Sequence, residues 1–379
     1  MDRQRLINLC AAISAITVFG LALGLMFPLL SLIMEKDGIR PGIIGYNTAM
    51  QTGGIVLAGF IIPRASGHFG ARRVAIVAAL VTAAIVMLYP YAPFPAWFVL
   101  RLGQGMAVGG LFAISEAWVV KFAEGKYRSR ILALYTGILS LSFAGGPALI
   151  FVTGVTGVLP FAIGAAVLVL GTAPIFLLRE IPNTAEENKA ALSIIGFAPK
   201  APLLLAAVAL FSIIDAANLA FLPVYAVKKG MDAETASLAL TVFIIGNSVL
   251  QFPIGWLADH LNKRTVMAGC AIAAAIGSAL IPLSFGTFAF WIVLLVTGTT
   301  SAGIYTIALS ELGERFSGTD LVAGTASFST IWGAGALIGA LMAGWSFQQF
   351  GPDGLPYSVA VIFAVFIIAM FARGSLRGA

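Results

Sequence analysis

The ten residues Gly255–Arg264, GWLADHLNKR, contain the short polar break between two long apolar runs of the chain. The run before this break covers residues 235–258, and the run after it covers residues 265–284. A helix that crosses a bilayer needs about 20 apolar residues, because the hydrocarbon core of the bilayer is about 30 Å thick. The stretch therefore predicts a tight, charged turn between two membrane-spanning helices.

Apolar runs separated by short polar breaks fill the rest of the chain as well. Of its 379 residues, 60% are hydrophobic and 10% are charged, and the mean hydropathy is +0.99. Soluble domains contain about 25% charged residues, so the composition excludes an ordinary soluble protein. The runs do not alternate between apolar and polar residues, which predicts helices and not barrel strands. Twelve spans are predicted, at residues 6–33, 42–62, 73–91, 96–120, 130–152, 157–178, 202–226, 235–258, 265–284, 288–312, 321–346 and 356–372.

The basic residues are divided unevenly between the two sets of loops. If the N-terminus is cytoplasmic, the inside segments hold seventeen of the 22 Lys and Arg residues, and the outside loops hold Lys36, Arg40, Lys228 and Lys229. Positive charge accumulates in cytoplasmic loops. We therefore expect a multi-pass protein of a bacterial-type inner (cytoplasmic) membrane with both termini in the cytoplasm. This topology accounts for the net charge of +6, and nucleic-acid binding is not expected.

Four short motifs recur in the same order in the second half of the chain. The pairs are Met26–Leu30 with Phe221–Tyr225, Gly38 with Gly230, Gly67–Val74 with Asp259–Val266, and Glu116 with Glu311. They predict two six-helix bundles, at residues 1–179 and 202–379, joined by a cytoplasmic linker at residues 180–201. Such parallel repeats are typical of secondary transporters, in which the binding site lies near the middle of the bilayer.

Two motifs resemble those of the major facilitator superfamily. Gly255–Arg264 resembles its loop motif Gly-x-Leu-Ala-Asp-x-x-Gly-x-Arg/Lys, with Asn262 at the second glycine, and Arg101–Gly105 resembles its Arg-x-x-Gln-Gly motif of span 4. The first loop copy, Pro63–Arg73, has Gly67 in place of the aspartate. Within the superfamily, Ser115–Tyr135 is similar to the YcaD-like branch.

The resemblance implies the fold of the major facilitator superfamily. This is an all-α integral membrane protein, with twelve transmembrane helices in two pseudo-symmetric six-helix bundles. It also implies that spans 1, 4, 7 and 10 line a central cavity. Gly146-Pro147 only hints at the antiporter motif of span 5.

Asp215 lies about halfway along predicted span 7, and Ser212 and Asn218 share its helix face. An ionisable side chain inside a membrane is costly and indicates a functional site. The resemblance would place Asp215 on the central cavity, where its carboxyl group suits proton binding or a cationic ligand. We expect Asp215 and Asn218 to bind substrate or protons. The alternative is an aspartate whose partners are Ser212, Asn218 or another span.

Arg101 lies in the outer part of predicted span 4, with Gln104 one turn away on the same face. We expect both to bind substrate or protons, either by holding an anionic group or by acting on a nearby acid. A coupling role for Arg101 rests on the resemblance. A structural ion pair, or an arginine that extends to the interface, is the alternative. Asn47, Gln51, Asn247 and Gln251 are either cavity groups or polar helix contacts.

Glu116 and Glu311 lie at matching places near the cytoplasmic ends of spans 4 and 10. Basic loops are predicted on the same side of the membrane, so acid-to-base latches that close the cytoplasmic face are expected. A proton site and a static helix-end pair are the alternatives. The predicted gating residues are Glu116, Glu311, Arg72, Arg73, Asp259, Lys263 and Arg264.

The sequence favours a secondary transporter that moves a small organic solute by alternating access. It has no phosphate-binding Gly-x-x-x-x-Gly-Lys-Ser/Thr loop, so we expect a proton gradient to supply the energy, without a cofactor. Gly146-Pro147 and the span 4 motif slightly favour efflux. Symport or facilitated diffusion of an organic anion is the alternative, and a transporter-like sensor is the third hypothesis. The expected partners are the lipid bilayer, the solute and protons, with a monomer as the functional unit.

An enzyme would require catalytic or metal-ligating groups that converge. His68 and His260 lie in loops without such neighbours, and Cys10 and Cys270 lie within predicted spans. The two cysteines are expected to be buried thiols and not a disulfide or a metal site.

Overall fold

The computed structural model of the protein describes residues 3–122, 128–177, 197–249 and 251–375. These ranges are almost entirely helical and contain no β-strand. Most of the predicted linker, residues 180–196, lies outside them. The first seven helices are α1 (Arg3–Lys36), α2 (Pro41–Phe69), α3 (Ala71–Leu88), α4 (Ala96–Phe122), α5 (Arg128–Thr153), α6 (Leu159–Gly171) and α7 (Ala173–Phe176).

The remaining helices follow residue 197. They are α8 (Pro202–Lys228), α9 (Ala233–Val249), α10 (Gln251–His260), α11 (Lys263–Ser284), α12 (Phe288–Arg315), α13 (Gly318–Phe350) and α14 (Gly354–Ser375). In the described residues, ten spans are long and apolar enough to cross a membrane, and two of them combine α6 with α7 and α9 with α10. The helix α2 and the apolar part of α5, Gly137–Thr153, occupy the other two predicted positions.

The first compact unit consists of Met1–Asp37 and Asn47–Asn188. Within it, α1 packs against α5 and α4, and α3 packs against α4 and α6. Glycines allow the closest approaches: a side chain at Gly146 would collide with the backbone of Gly24. Gly146, in the antiporter-like dipeptide, therefore lies where α5 touches α1.

The second compact unit consists of Gly38–Tyr46 and Lys189–Ala379. Within it, α8 packs against α13 and α12, and α11 packs against α12 and α14. In the numbering of the predicted spans, span 7 therefore packs against spans 10 and 11, and span 9 packs against spans 10 and 12. In the first unit, span 1 packs in the same way against spans 4 and 5, and span 3 packs against spans 4 and 6. The same internal packing in both units confirms the predicted pseudo-symmetric fold.

The turns that precede α3 and α11 are made by different residues. Gly70 precedes α3 with φ +86°, a left-handed conformation that favours glycine. Asn262 precedes α11 with φ −61°, and its side-chain Oδ1 accepts a hydrogen bond from the backbone N–H of Arg264 at 2.9 Å. The asparagine that replaces the motif glycine thus begins α11 with a side-chain cap.

Candidate functional site

Arg101 of α4 is completely buried, with 0% of its surface exposed. Its Nε donates a hydrogen bond to Oδ1 of Asn47 at 3.0 Å, and its Nη1 donates to Oε1 of Gln51. Both amides lie on α2, one helical turn apart. The guanidinium carbon also lies 5.4 Å from the centre of the Phe27 ring, within the range of a cation–π contact.

This arrangement leaves a group of unused donors around Arg101. A guanidinium has only donors, so Asn47 and Gln51 must turn their oxygens toward it and their NH₂ groups away. Within the described part of the chain, Nη2 of Arg101, Nδ2 of Asn47 and Nε2 of Gln51 are buried and form no hydrogen bond. No described ion pair includes Arg101. The geometry therefore suits a ligand that accepts hydrogen bonds and carries negative charge.

Gln104 is also fully buried, one turn along α4 from Arg101. Its Oε1 accepts a hydrogen bond from the hydroxyl of Tyr89 at 3.0 Å, while its Nε2 is a further buried donor without a partner in the residues described. The ring of Tyr89 packs edge-on against Trp97, with 5.5 Å between centroids. Tyr89, which directly follows α3, was not predicted as the partner, because no pattern in the sequence relates it to Gln104.

Asp215 lies in α8 and is partly buried. Its Oδ1 accepts a hydrogen bond from Nδ2 of Asn247 on α9 at 3.3 Å. Ser212 and Asn218, the neighbours expected on the same face, instead donate to carbonyl oxygens of α8, those of Ala209 and Ile214, each at 3.0 Å. The contact to Asp215 thus comes from another span.

The candidate gating residues of the second unit form local contacts. Lys263 pairs with Glu314 and donates to Oγ of Ser310 at 2.8 Å, whereas Glu311 pairs with Arg315 one turn along α12. Arg264 donates to the carbonyl oxygen of Met370 at 2.6 Å. Asp259 is exposed. Lys263, a basic residue of the motif loop, thus forms an ion pair with an acidic residue of α12. This residue is Glu314 and not Glu311.

The candidate gating residues of the first unit lie near the matching helix ends. Arg72 donates from Nη2 to the carbonyl oxygen of Phe176 at 2.5 Å, and Arg73 is exposed. Glu116 is exposed at the end of α4. Beside it, the hydroxyls of Ser115 and Tyr135 are hydrogen-bonded at 2.9 Å, which joins α4 to α5.

The helical architecture and the two motifs agree with a comparison of the sequence with known families. The pattern of the Major Facilitator Superfamily matches residues 12–236 and 203–376, which together cover nearly the whole chain. The chain belongs to the Major Facilitator Superfamily. Its homologues are transporters, so the chain is assigned to a family of multi-pass membrane transporters and not to an enzyme family. In the described residues, no group of three or more His, Cys, Asp or Glu side chains could hold a metal ion.

Similar proteins from bacteria cover the chain almost from end to end. The MFS-type transporter YfkF of Bacillus subtilis (strain 168) is 22% identical over 91% of this chain and 90% of its own. The MFS-type transporter YcaD of Escherichia coli O7:K1 is 22% identical over 94% of each chain. The resemblance to the YcaD-like branch is therefore confirmed.

Solved structures of this superfamily share the fold. The nucleoside transporter NupG superimposes with a TM-score of 0.78 at 12% identity, over 98% of this chain and 99% of that one. A D-xylose-proton symporter superimposes with a TM-score of 0.73 at 13% identity, over 97% of this chain and 96% of that one. At these identities the likeness shows the fold alone.

Proposed function

We propose that this member of the superfamily is a secondary transporter that moves a small organic solute by alternating access, driven by a proton gradient. The observation that carries the proposal is the contact between Asp215 and Asn247. In this proposal the protein acts as a monomer in the inner membrane, with both termini in the cytoplasm and without a cofactor.

Asp215 suits reversible proton binding because its partner does not neutralise it. Asn247 supplies one hydrogen bond from a neutral amide, and no ion pair of the described residues involves Asp215. An ionised carboxylate without a counter-charge is costly in apolar surroundings, and the cost is removed by a proton or by a cationic ligand. Exchange of a proton for a cationic group of the solute would couple the two fluxes. Asn218 lies one turn away and is proposed to contact the same ligands.

Export is the proposed direction. It rests on the joint occurrence of Gly146-Pro147 and the span 4 motif Arg101–Gly105. The contact between Gly146 and Gly24 makes α1 and α5 a closely packed pair, so the dipeptide has a packing role that is compatible with either direction. Direction therefore has to be measured with both membrane orientations.

A second candidate function is the transport of an organic anion, by symport or facilitated diffusion. It is favoured by the unused donors of Arg101, Asn47, Gln51 and Gln104. Donors attached to a buried cation form strong hydrogen bonds with carboxylates and phosphates. In this alternative Arg101 and Gln104 bind the solute, and Asp215 binds the proton.

The gating proposal concerns the cytoplasmic helix ends. Charge pairs such as Lys263 with Glu314 would break and form again between the two states of alternating access. Exposed pairs contribute about 0–1 kcal/mol each, so they can adjust the balance between two states without locking either one. Glu116, Glu311, Arg72, Arg73, Asp259 and Arg264 are proposed to act at the same ends.

The test begins with ligand discovery on the purified protein. Nucleosides, pentoses, cationic amphiphiles and small carboxylates are screened for an increase in thermal stability, since a ligand at about 100 times its Kd stabilises the native state by about 2.7 kcal/mol. Compounds that raise the unfolding midpoint are then supplied to proteoliposomes with an imposed pH gradient. Proton-coupled transport predicts accumulation that collapses with a protonophore. Accumulation that is unaffected by the protonophore, or binding without translocation, would contradict the proposal, and the latter would favour a sensor.

A further inference from the structure

The second unit contains a small cavity lined by four helices. The lining residues are Asn218, Leu222 and Tyr225 of α8, Ser278 and Ile281 of α11, Thr297 of α12, and Leu355, Pro356 and Val359 of α14. All nine lining residues are buried. The volume that the centre of a water molecule can reach is about 10 Å³.

Three hydroxyl groups that line this cavity lack partners. The Tyr225 hydroxyl, Oγ of Ser278 and Oγ1 of Thr297 are buried and form no hydrogen bond with any residue that the structure describes. Asp353 acts on Tyr225 both through its charge and as a side-chain hydrogen-bonding neighbour, although no hydrogen bond of ordinary geometry to the Tyr225 hydroxyl is present among the described residues. A buried hydroxyl without a partner costs about 1–3 kcal/mol, and three from three different helices at one cavity require an explanation.

The helices α11 and α12 pack closely beside the cavity. A side chain at Gly277 would collide with Oγ1 of Thr297, so the missing side chain lets the two helices approach closely. Asn218 and Tyr225 lie two turns apart on one face of α8, and both line the cavity. Residues with hydroxyl groups on three helices thus line one space.

We propose that this cavity is a binding site for one water molecule, held by the hydroxyls of Tyr225, Ser278 and Thr297. Buried waters typically make about 3 hydrogen bonds, and a polar space of about 10–15 Å³ suffices for one. A hydroxyl both donates and accepts, so the three groups can satisfy both hydrogens and the oxygen of the water.

The lining decides between water and a metal cation. None of the nine lining residues is charged, whereas hard cations are usually held by carboxylate or many carbonyl oxygens. A neutral ligand of one heavy atom fits this uncharged lining and the size of the cavity. Asn218, one of the lining residues, lies one helical turn along α8 from Asp215.

Radiolytic oxidation in ¹⁸O-labelled water tests the proposal, because hydroxyl radicals formed at a bound water label the side chains beside it. Leu222 and Leu312 are both 1% exposed, but only Leu222 lines the cavity. In the full-length protein in detergent, we expect Leu222 to incorporate label several-fold faster than Leu312. Equal rates for the two leucines would overturn the proposal.

Removal of the hydroxyls provides a second test. Ser278→Ala with Thr297→Val should lower the Leu222 labelling several-fold, toward the rate of Leu312. The matched control is Ser301→Ala, since Ser301 is buried on the same helix and donates to the carbonyl oxygen of Thr297 at 2.7 Å. It should leave the Leu222 rate unchanged. An unchanged Leu222 labelling rate in the double variant would overturn the proposal. If the double variant fails to fold, the comparison of Leu222 with Leu312 in the wild-type protein decides.

Discussion

Asn247 on α9 donates a hydrogen bond to Asp215 on α8, with 3.3 Å between Nδ2 and Oδ1. The two residues are 32 positions apart, and the contact joins spans 7 and 8 within one unit. The other amide atom, Oδ1 of Asn247, is buried and has no hydrogen-bond partner in the described residues. A protonated Asp215 or a ligand beside it could supply that donor, so the pair can serve both protonation states of the carboxyl group.

The first prediction concerns this carboxyl group. Asp215→Asn keeps the shape and the contact with Asn247 but cannot exchange a proton. We expect pH-driven accumulation of the solute in proteoliposomes to fall to passive equilibration, whereas exchange at equal pH persists. Asp232→Asn, which removes a carboxylate outside the spans, is the control and should transport normally. Accumulation by Asp215→Asn at the wild-type level would refute a coupling role.

The second prediction concerns the support of Arg101. Asn47→Ala removes the acceptor of Nε and leaves a buried charge less well satisfied, which costs about 1.5–3 kcal/mol for a hydrogen bond to a charged group. We expect the thermal unfolding midpoint to drop by several degrees, whereas Gln349→Ala, an exposed amide, should have little effect. If both variants unfold at the wild-type temperature, the Asn47 contact does not stabilise Arg101.

The third prediction uses two glycines of α4. A side chain at Gly105 would collide with the carbonyl oxygen of Gln51, whereas one at Gly103 would make an ordinary 3.5 Å contact with Ile85. Gly105→Ala should therefore push α2 away, at a cost of about 1–3 kcal/mol for overpacking, and it should also disturb the hydrogen bond that Arg101 donates to Gln51. Gly103→Ala should be nearly neutral. Equal unfolding midpoints for the two variants would show that α2 adapts freely.

The fourth prediction tests the cytoplasmic pairs as gates. Glu314→Gln and Lys263→Met each remove the same ion pair. Each should therefore change the labelling of introduced reporter cysteines from the two sides of the membrane in the same direction. The double variant should shift it no further, because the pair is already broken. Glu311→Gln tests the neighbouring acid, which pairs with Arg315. An accessibility pattern that none of these variants changes would count against a gate at this end.

The fold could be predicted from the sequence because membrane helices have a strong local signal. Apolar runs such as residues 265–284 had to be helices, since a bilayer offers no other partner for the backbone. Gly38 and Gly230, paired by the repeat, both adopt left-handed conformations, with φ +72° and +103°. Gly105 and Gly109 of α4 allow a close approach to α2.

The partners of the polar side chains could not be predicted in the same way. Asp215 and Arg101 were recognisable as costly intramembrane charges, but their contacts come from Asn247, Asn47 and Gln51, on helices whose rotation the sequence does not specify. The choice between Glu311 and Glu314 as the partner of Lys263 likewise depends on a rotation of α12 by less than one turn. Polar residues within apolar runs marked Asn47, Gln51 and Asn247 as noteworthy. They did not distinguish residues that line a cavity from residues that form contacts between helices.

The last prediction is a pH dependence at the start of α9. Asp232 precedes this helix, and its Oδ1 accepts a hydrogen bond from the backbone N–H of Thr235 at 2.8 Å. This hydrogen bond favours the carboxylate and lowers the pKa of Asp232 below its ordinary value. A carboxyl group with a lowered pKa in the folded state stabilises the protein fully above its unfolded-state pKa, and the contribution is lost as the pH falls through the folded-state value.

Asp232→Asn retains a side-chain cap but has no titrating group. The unfolding midpoint of the wild type should therefore exceed that of Asp232→Asn at neutral pH, and the difference should shrink as the pH is lowered from about 6 to about 3. Asp232→Ala removes the cap at every pH and should cost about 1 kcal/mol. A difference between wild type and Asp232→Asn that stays constant over this range would mean that the charge of Asp232 does not contribute to the stability of α9.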